Sequence, residues 1–209
     1  MFEASWWLFV VASLVLIVTP GQDMILVMSR SVAQGPRAGV ATAAGVSVGL
    51  VGHTILATLG LGAILRTSEW LFVALKLVGA AYLVYLGVQL LRTPQHQLTV
   101  SDGAPRSLAR LFVDGALSNV SNPKIAVFYF AFLPQFVLPA ASHPTQTVFA
   151  LGLVFAGLTF AVKGPVGLGA GMLSGWLRSR PKFLAGLYRT SGAVLIGLGL
   201  KLAFERRPA

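Results

Sequence analysis

Three long stretches of the chain, 4–22, 38–65 and 125–162, contain no Asp, Glu, Lys or Arg. A helix needs about 20 apolar residues to cross the hydrocarbon core of a bilayer. The alternation of apolar runs with short polar segments predicts six helices, at roughly 5–29, 38–65, 69–91, 108–138, 145–172 and 184–204. Pro134 and Pro139 are expected to end the fourth early. A polar run at about 92–107 divides the chain near its middle and reads as a cytoplasmic linker. It separates a first half, about 1–92, from a second, about 108–209. Three helices per half is an odd number, so the second half enters the membrane from the opposite side. The expected fold is a single all-α integral membrane domain built as a 3+3 inverted repeat. A five-helix reading stays open, but it breaks the alternation of charge described below.

Internal similarity points the same way. Pro20 and Pro123 occupy corresponding places in the first helix of each half. Gly60-Leu61-Gly62-Ala63 recurs as Gly167-Leu168-Gly169-Ala170. Gly79-Ala80-Ala81 followed by Leu86-Gly87 resembles Gly192-Ala193-Val194 followed by Leu198-Gly199. On the second helix Ala41, Gly45 and Gly49 recur every fourth residue, a pattern that lets backbones approach closely. Internal packing is the favoured use of that stripe, and a homodimer is the other.

Composition reinforces the membrane reading. Of 209 residues, 56% are hydrophobic and 11% charged, and the mean hydropathy is +0.78. A soluble domain of this size could not hide so much apolar surface. The net charge of +10 would suggest nucleic acid in a soluble protein. Here, with the N-terminus outside, Arg30, Arg37, Arg92, Arg106, Arg110, Arg178, Arg180, Lys182 and Arg189 all fall on the inner side, against Arg66, Arg206 and Arg207 outside with Lys201 near the boundary, and this excess sets orientation instead. The count places both termini outside and predicts no nucleic-acid partner. Cysteine is absent, which removes disulfides and thiolate metal sites. No cofactor or metal is expected.

The two prolines carry the chemistry. Pro20, in Thr19-Pro20-Gly21-Gln22-Asp23, breaks the first helix halfway along. Pro123, in Asn119-Val120-Ser121-Asn122-Pro123-Lys124, breaks the fourth. Asp23 is the only acid deep in an apolar stretch, where it costs about 2.5–3.5 kcal/mol on insertion scales. A partner or a wet cavity is therefore expected. The half-helix starting near Gly21, Gln22 and Asp23 offers free N–H groups that favour a carboxylate, while the Asp23 side chain favours an ammonium. Together they suit a zwitterionic amino acid. The plainer reading is that Asp23 caps the half-helix and pairs with Lys124. At the second break, Asn119 and Asn122 can bond the carbonyl that Pro123 frees, or a ligand, and Lys124 is a candidate for the substrate carboxylate.

Lys163, beside the helix-breaking pair Gly164-Pro165, is a candidate for a gate or for coupling. Lys76 is a weaker one, since it can snorkel to an interface. His53 could relay protons, although a lone membrane histidine more often bonds a neighbouring helix. Withdrawal from water favours the neutral acid, which makes Asp23 the candidate for proton coupling. No nucleophile–base pair or metal-ligand spacing is present, so an enzyme is not expected.

These segments resemble the LysE/RhtB family of bacterial amino-acid exporters over nearly the whole chain. The similar parts are Thr19-Pro20-Gly21 with its following Asp, and Arg37-Ala38-Gly39 with Gly45 and Gly49. Lys76 with Gly79-Ala80-Ala81-Tyr82-Leu83 resembles the family's third helix. Asn122-Pro123-Lys124 through Phe132-Leu133-Pro134-Gln135-Phe136 resembles its second-half signature. Gln22 stands where that family often has a second proline. The resemblance implies efflux of amino acids or their derivatives across the bacterial inner membrane, driven by the proton gradient. The alternative is a non-transporting membrane assembly subunit, which would explain the packing glycines but not the charged breaks.

Overall fold

The computed structural model describes residues 4–67, 69–92, 105–137 and 142–204. Most of the predicted linker, Pro139, Arg206 and Arg207 lie outside them. The described residues are helical almost throughout, in the order α1 Trp6–Val18, α2 Gln22–Gln34, α3 Pro36–Thr67, α4 Glu69–Arg92, α5 Leu108–Val120, α6 Pro123–Phe132, a 3-10 turn Leu133–Phe136, α7 Pro144–Leu168, α8 Ala170–Ser179 and α9 Pro181–Phe204. The first predicted helix is thus α1 and α2, broken at residues 19–21 and bent by 51°. The fourth is α5 and α6, broken at Ser121 and Asn122.

Local rules explain most boundaries. Proline opens α3, α6, α7 and α9, at the position where its missing N–H is no loss. Gly35 has φ +90°, a conformation that side chains rarely adopt. It closes α2 with a hydrogen bond from its N–H to the Ser31 carbonyl and turns the chain directly into α3. At Pro134 the α-helix tightens into a 3-10 turn.

Two expectations need correction. The fifth helix does not break at Gly164-Pro165: α7 runs through Pro165 to Leu168 and ends at Gly169. Its end is seated between neighbours, with the Ser31 hydroxyl donating to the Gly167 carbonyl and the Gly39 backbone directly against Gly167. The segment expected to be a loop before the last helix is largely α8. By length and composition, three helices among the described residues can cross a membrane, within α3, α7 and α9, and the bent α1–α2 pair makes a fourth. Six were expected. The shortfall follows partly from the second break, because α5 has 13 residues and α6 has 10. At 1.5 Å per residue they span only about 20 and 15 Å each.

Glycine contacts set the core spacing. A Cβ on Gly45 would lie 1.9 Å from the Phe112 carbonyl oxygen, and one on Gly49 2.8 Å from the Asn119 Cβ. Backbones of α3 and α5 therefore touch, and the predicted small-residue stripe serves internal packing. Gly87 and Gly192 meet in the same way between α4 and α9.

The two broken helices run antiparallel. At one end the Ser5 N–H donates to the Phe136 carbonyl at 2.8 Å, and Ala4 bridges to Val137. Phe9 packs edge-on against Phe136 with ring centroids 5.2 Å apart. At the other end the Arg106 N–H donates to the Gln34 side chain. The start of α1 thus lies beside the end of α6, and the end of α2 beside the start of α5. This brings the two breaks face to face.

Candidate functional site

Pro20 interrupts the first helix and leaves carbonyls around the break without their helical donors, and α9 supplies hydroxyls to two of them. The Tyr188 hydroxyl donates to the Pro20 carbonyl at 2.7 Å. Thr19 donates to the Val15 carbonyl at 2.9 Å, the Ser191 hydroxyl reaches the same carbonyl at 3.1 Å, and the two hydroxyls bond each other. Gly21 then begins α2 in an extended conformation with no side-chain cap. The first N–H groups of α2, those of Gln22, Asp23 and Met24, are left facing the break.

Asp23 is the second residue of α2 and is buried, at 8% exposure. Its Oδ2 accepts from Asn119 Nδ2 at 2.9 Å and from Lys163 Nζ at 3.3 Å. Its Oδ1 is buried without a hydrogen-bond partner among the described residues. The carboxylate does not cap its own helix but reaches across to α5 and α7. Asp23 thus pairs with Lys163, because α7 packs beside α2 and carries its cation to the break, while the expected pairing with Lys124 falls on a side chain outside the described residues. The side chains of Lys124, Pro123 and Lys76 lie outside the described residues.

At the second break, Pro123 lacks the N–H that would bond the Asn119 carbonyl. That carbonyl accepts instead from the Asn122 N–H at 3.0 Å and from His53 Nε2, also at 3.0 Å. A carbonyl only accepts, so the proton of His53 is assigned to Nε2. His53 is thereby placed as a cap on the broken backbone. The side chains of Asn119 and Asn122 reach to the first break: Asn119 holds Asp23, and Asn122 Nδ2 donates to Gln22 Oε1 at 3.3 Å.

A cavity of ≈ 330 Å³ opens at these facing breaks. Of the candidate binding residues, Gly21, Gln22, Asp23 and Asn122 line it, together with Lys163, the candidate for a gate or for coupling. Its volume lies at the small end of small-molecule sites, about 300–1,000 Å³. Thr159 also lines the cavity, and Tyr188 and Ser191 support the break behind it; these residues had no sequence signal of their own. Tyr188 and Ser191 do share one face of α9 at a spacing of three, which is the pattern that could have drawn notice. Among the described residues, no three His, Cys, Asp or Glu side chains come together to hold a metal.

A buried ion pair thus lies between two helix breaks, on the wall of a cavity. The chain is 32% identical over 203 residues to the homoserine/homoserine lactone efflux protein of Salmonella typhimurium, covering 97% of this chain and 98% of the relative. It is 30% identical over 204 residues to an uncharacterised membrane protein of Pseudomonas aeruginosa, covering 95% and 94%. An uncharacterised membrane protein of Vibrio cholerae is 29% identical over 198 residues, covering 95% and 96%. No solved structure gives a significant match. The family model described as LysE type translocator matches residues 14–206, nearly the full length, and its members are transporters rather than enzymes. The chain belongs to the LysE type translocator family.

Proposed function

We propose that the chain is a secondary-active exporter of amino acids or their derivatives across the bacterial inner membrane, coupled to protons, with substrate held in the cavity between the two breaks. The observation that carries this reading is the buried Asp23–Lys163 pair, braced by Asn119, where the breaks face each other. The relatives named for homoserine and homoserine lactone efflux support the substrate class.

In this reading the ion pair is both lock and receptor. Asp23 Oδ1 is shielded even from water, so the pair must part for substrate to enter. Separating a buried pair leaves two uncompensated charges, at a cost of about 3–5 kcal/mol when one partner is lost. A zwitterion offsets that cost, since its ammonium replaces Lys163 on Asp23 and its carboxylate takes Lys163 and the free N–H groups of α2. A proton on Asp23 is a second way to release Lys163, which couples the gradient to the step without cargo.

The same reading includes six spans in a 3+3 inverted repeat with both termini outside. The antiparallel broken helices support it, as does the matched pairing of Gly87 with Gly192 and of Gly199 with Ala80 across α4 and α9. The Arg106–Gln34 contact brings the ends that carry Arg30, Arg37, Arg106 and Arg110 together, which suits an inner face. The packing glycines that would have favoured an assembly subunit are used within the chain.

The test is efflux from bacterial cells loaded with dipeptides, comparing wild type with Asp23→Asn and Lys163→Met at matched membrane levels. Both variants should lose export. Full export by both would overturn the reading.

A further inference from the structure

We infer that the cavity selects amino acids with an uncharged, apolar side chain of about leucine, methionine or phenylalanine size. This rests on the export reading above and names the cargo of the same site.

The lining of the cavity is divided by chemistry. Gln22, Asp23, Asn122, Thr159 and Lys163 supply its polar part, from the start of α2, the second break and α7. Leu86 and Leu90 from α4, Leu195 from α9 and Ile125 and Phe128 from α6 supply its apolar part. Leu86 and Leu90 are four residues apart and so share one face of α4. A substrate whose ammonium and carboxylate engage Asp23 and Lys163 must direct its side chain at these residues.

The remaining polar groups of the lining do not soften that wall. Thr19 is committed to the Val15 carbonyl, and the Gln89 amide nitrogen donates to the Tyr85 hydroxyl. The Tyr129 ring packs edge-on against Phe155, with centroids 5.6 Å apart, and its hydroxyl is buried from a water-sized probe.

Charge decides against the other amino acids. Among the described residues, Asp23 is the only acid on the lining. Once it holds the α-ammonium, the second cation of lysine or arginine has no counter-charge, and Lys163 repels it. A buried charge without a partner is strongly disfavoured. An acidic side chain meets the converse problem, because among the described residues Lys163 is the only cation on the lining and is already engaged. The hydroxyl of homoserine or threonine would exchange water for leucine side chains without a hydrogen bond. Each methylene gained against an apolar wall is worth roughly tenfold or more in selection.

The experiment uses the full chain purified into liposomes and loaded separately with leucine, methionine, phenylalanine, homoserine, threonine or lysine. Leucine, methionine and phenylalanine should exit about tenfold faster than homoserine and threonine, and lysine should stay at the background rate. Leu195→Asn and Leu90→Gln should each shrink the leucine-to-homoserine ratio, whereas Asp23→Asn should lower every substrate together. Homoserine, threonine or lysine leaving as fast as leucine would overturn the selectivity and leave the export reading intact. Exit of none of the six would overturn export and the selectivity with it. If neither leucine variant inserts, the wild-type ratios alone decide.

Discussion

At the first break the backbone is held from α9, by Tyr188 on the Pro20 carbonyl and Ser191 beside Thr19. At the second it is held from α3, by His53 on the Asn119 carbonyl. Both follow from a proline that interrupts a helix in a solvent that offers no replacement donors. Their chemistry nevertheless differs. The first break presents an acid and open N–H groups, while the second presents the Asn119 and Asn122 amides. Among the described side chains, the cation facing the acid is that of Lys163, two residues before a third proline, on a helix that does not break there. Similar signatures in the two halves thus make unlike structures: the first break carries the buried acid, and the second supplies the Asn119 amide that braces it.

That division predicts unequal consequences. Asp23→Asn or Lys163→Met leaves a buried charge alone, worth about 3–5 kcal/mol, and should reduce efflux by roughly a hundredfold or more. The double variant should recover thermal stability in detergent without recovering efflux. Recovery of both would mean that the pair is only a structural brace. Next in size is Gly49→Leu. Its side chain would displace Asn119, whose Cβ lies 2.8 Å from where a Cβ would be, at a cost of about 1–3 kcal/mol for overpacking. Efflux should fall about tenfold at unchanged membrane level, because Asn119 no longer steadies Asp23.

His53→Leu and Tyr188→Phe compare the two breaks directly. Each removes a donor from a carbonyl and should lower stability by about 1 kcal/mol, read as a shift in thermal unfolding. Efflux should fall further for His53→Leu, since the carbonyl it caps belongs to the residue that holds Asp23. Equal efflux losses would indicate that the breaks contribute alike. The smallest effect is expected from Lys124→Gln. Asp23 already has Lys163, so efflux should change by less than about 0.5 kcal/mol, roughly twofold, as for substitutions away from a key contact. A large loss would restore Lys124 as the carboxylate's partner.

Much of this was legible in the residues. Prolines 20 and 123 announced both breaks, because a missing N–H acts through the local chain alone. Asp23 announced a partner, because a lone acid in an apolar run needs one. Gly45 and Gly49 announced a close approach. The identity of Asp23's partner was not legible. Lys124, attached to the matching break, was the natural choice and its side chain lies outside the described residues; Lys163 lies 140 residues from Asp23 in the chain and reaches it only because α2 and α7 pack together. The continuity of α7 through Pro165 was likewise hidden, since Ser31 and Gly39 on other helices seat its end.

The order of elements, the sites of breakage and the need to neutralise a buried acid were set by the linear chain, through backbone donors, glycine flexibility and the apolar solvent. Tertiary packing decided which cation answers that acid, which side chains cap the broken backbones, and which leucines face the cavity. Those are contacts between residues far apart in sequence, fixed by how closely glycine-lined helices can approach, and no local property of either partner encodes them.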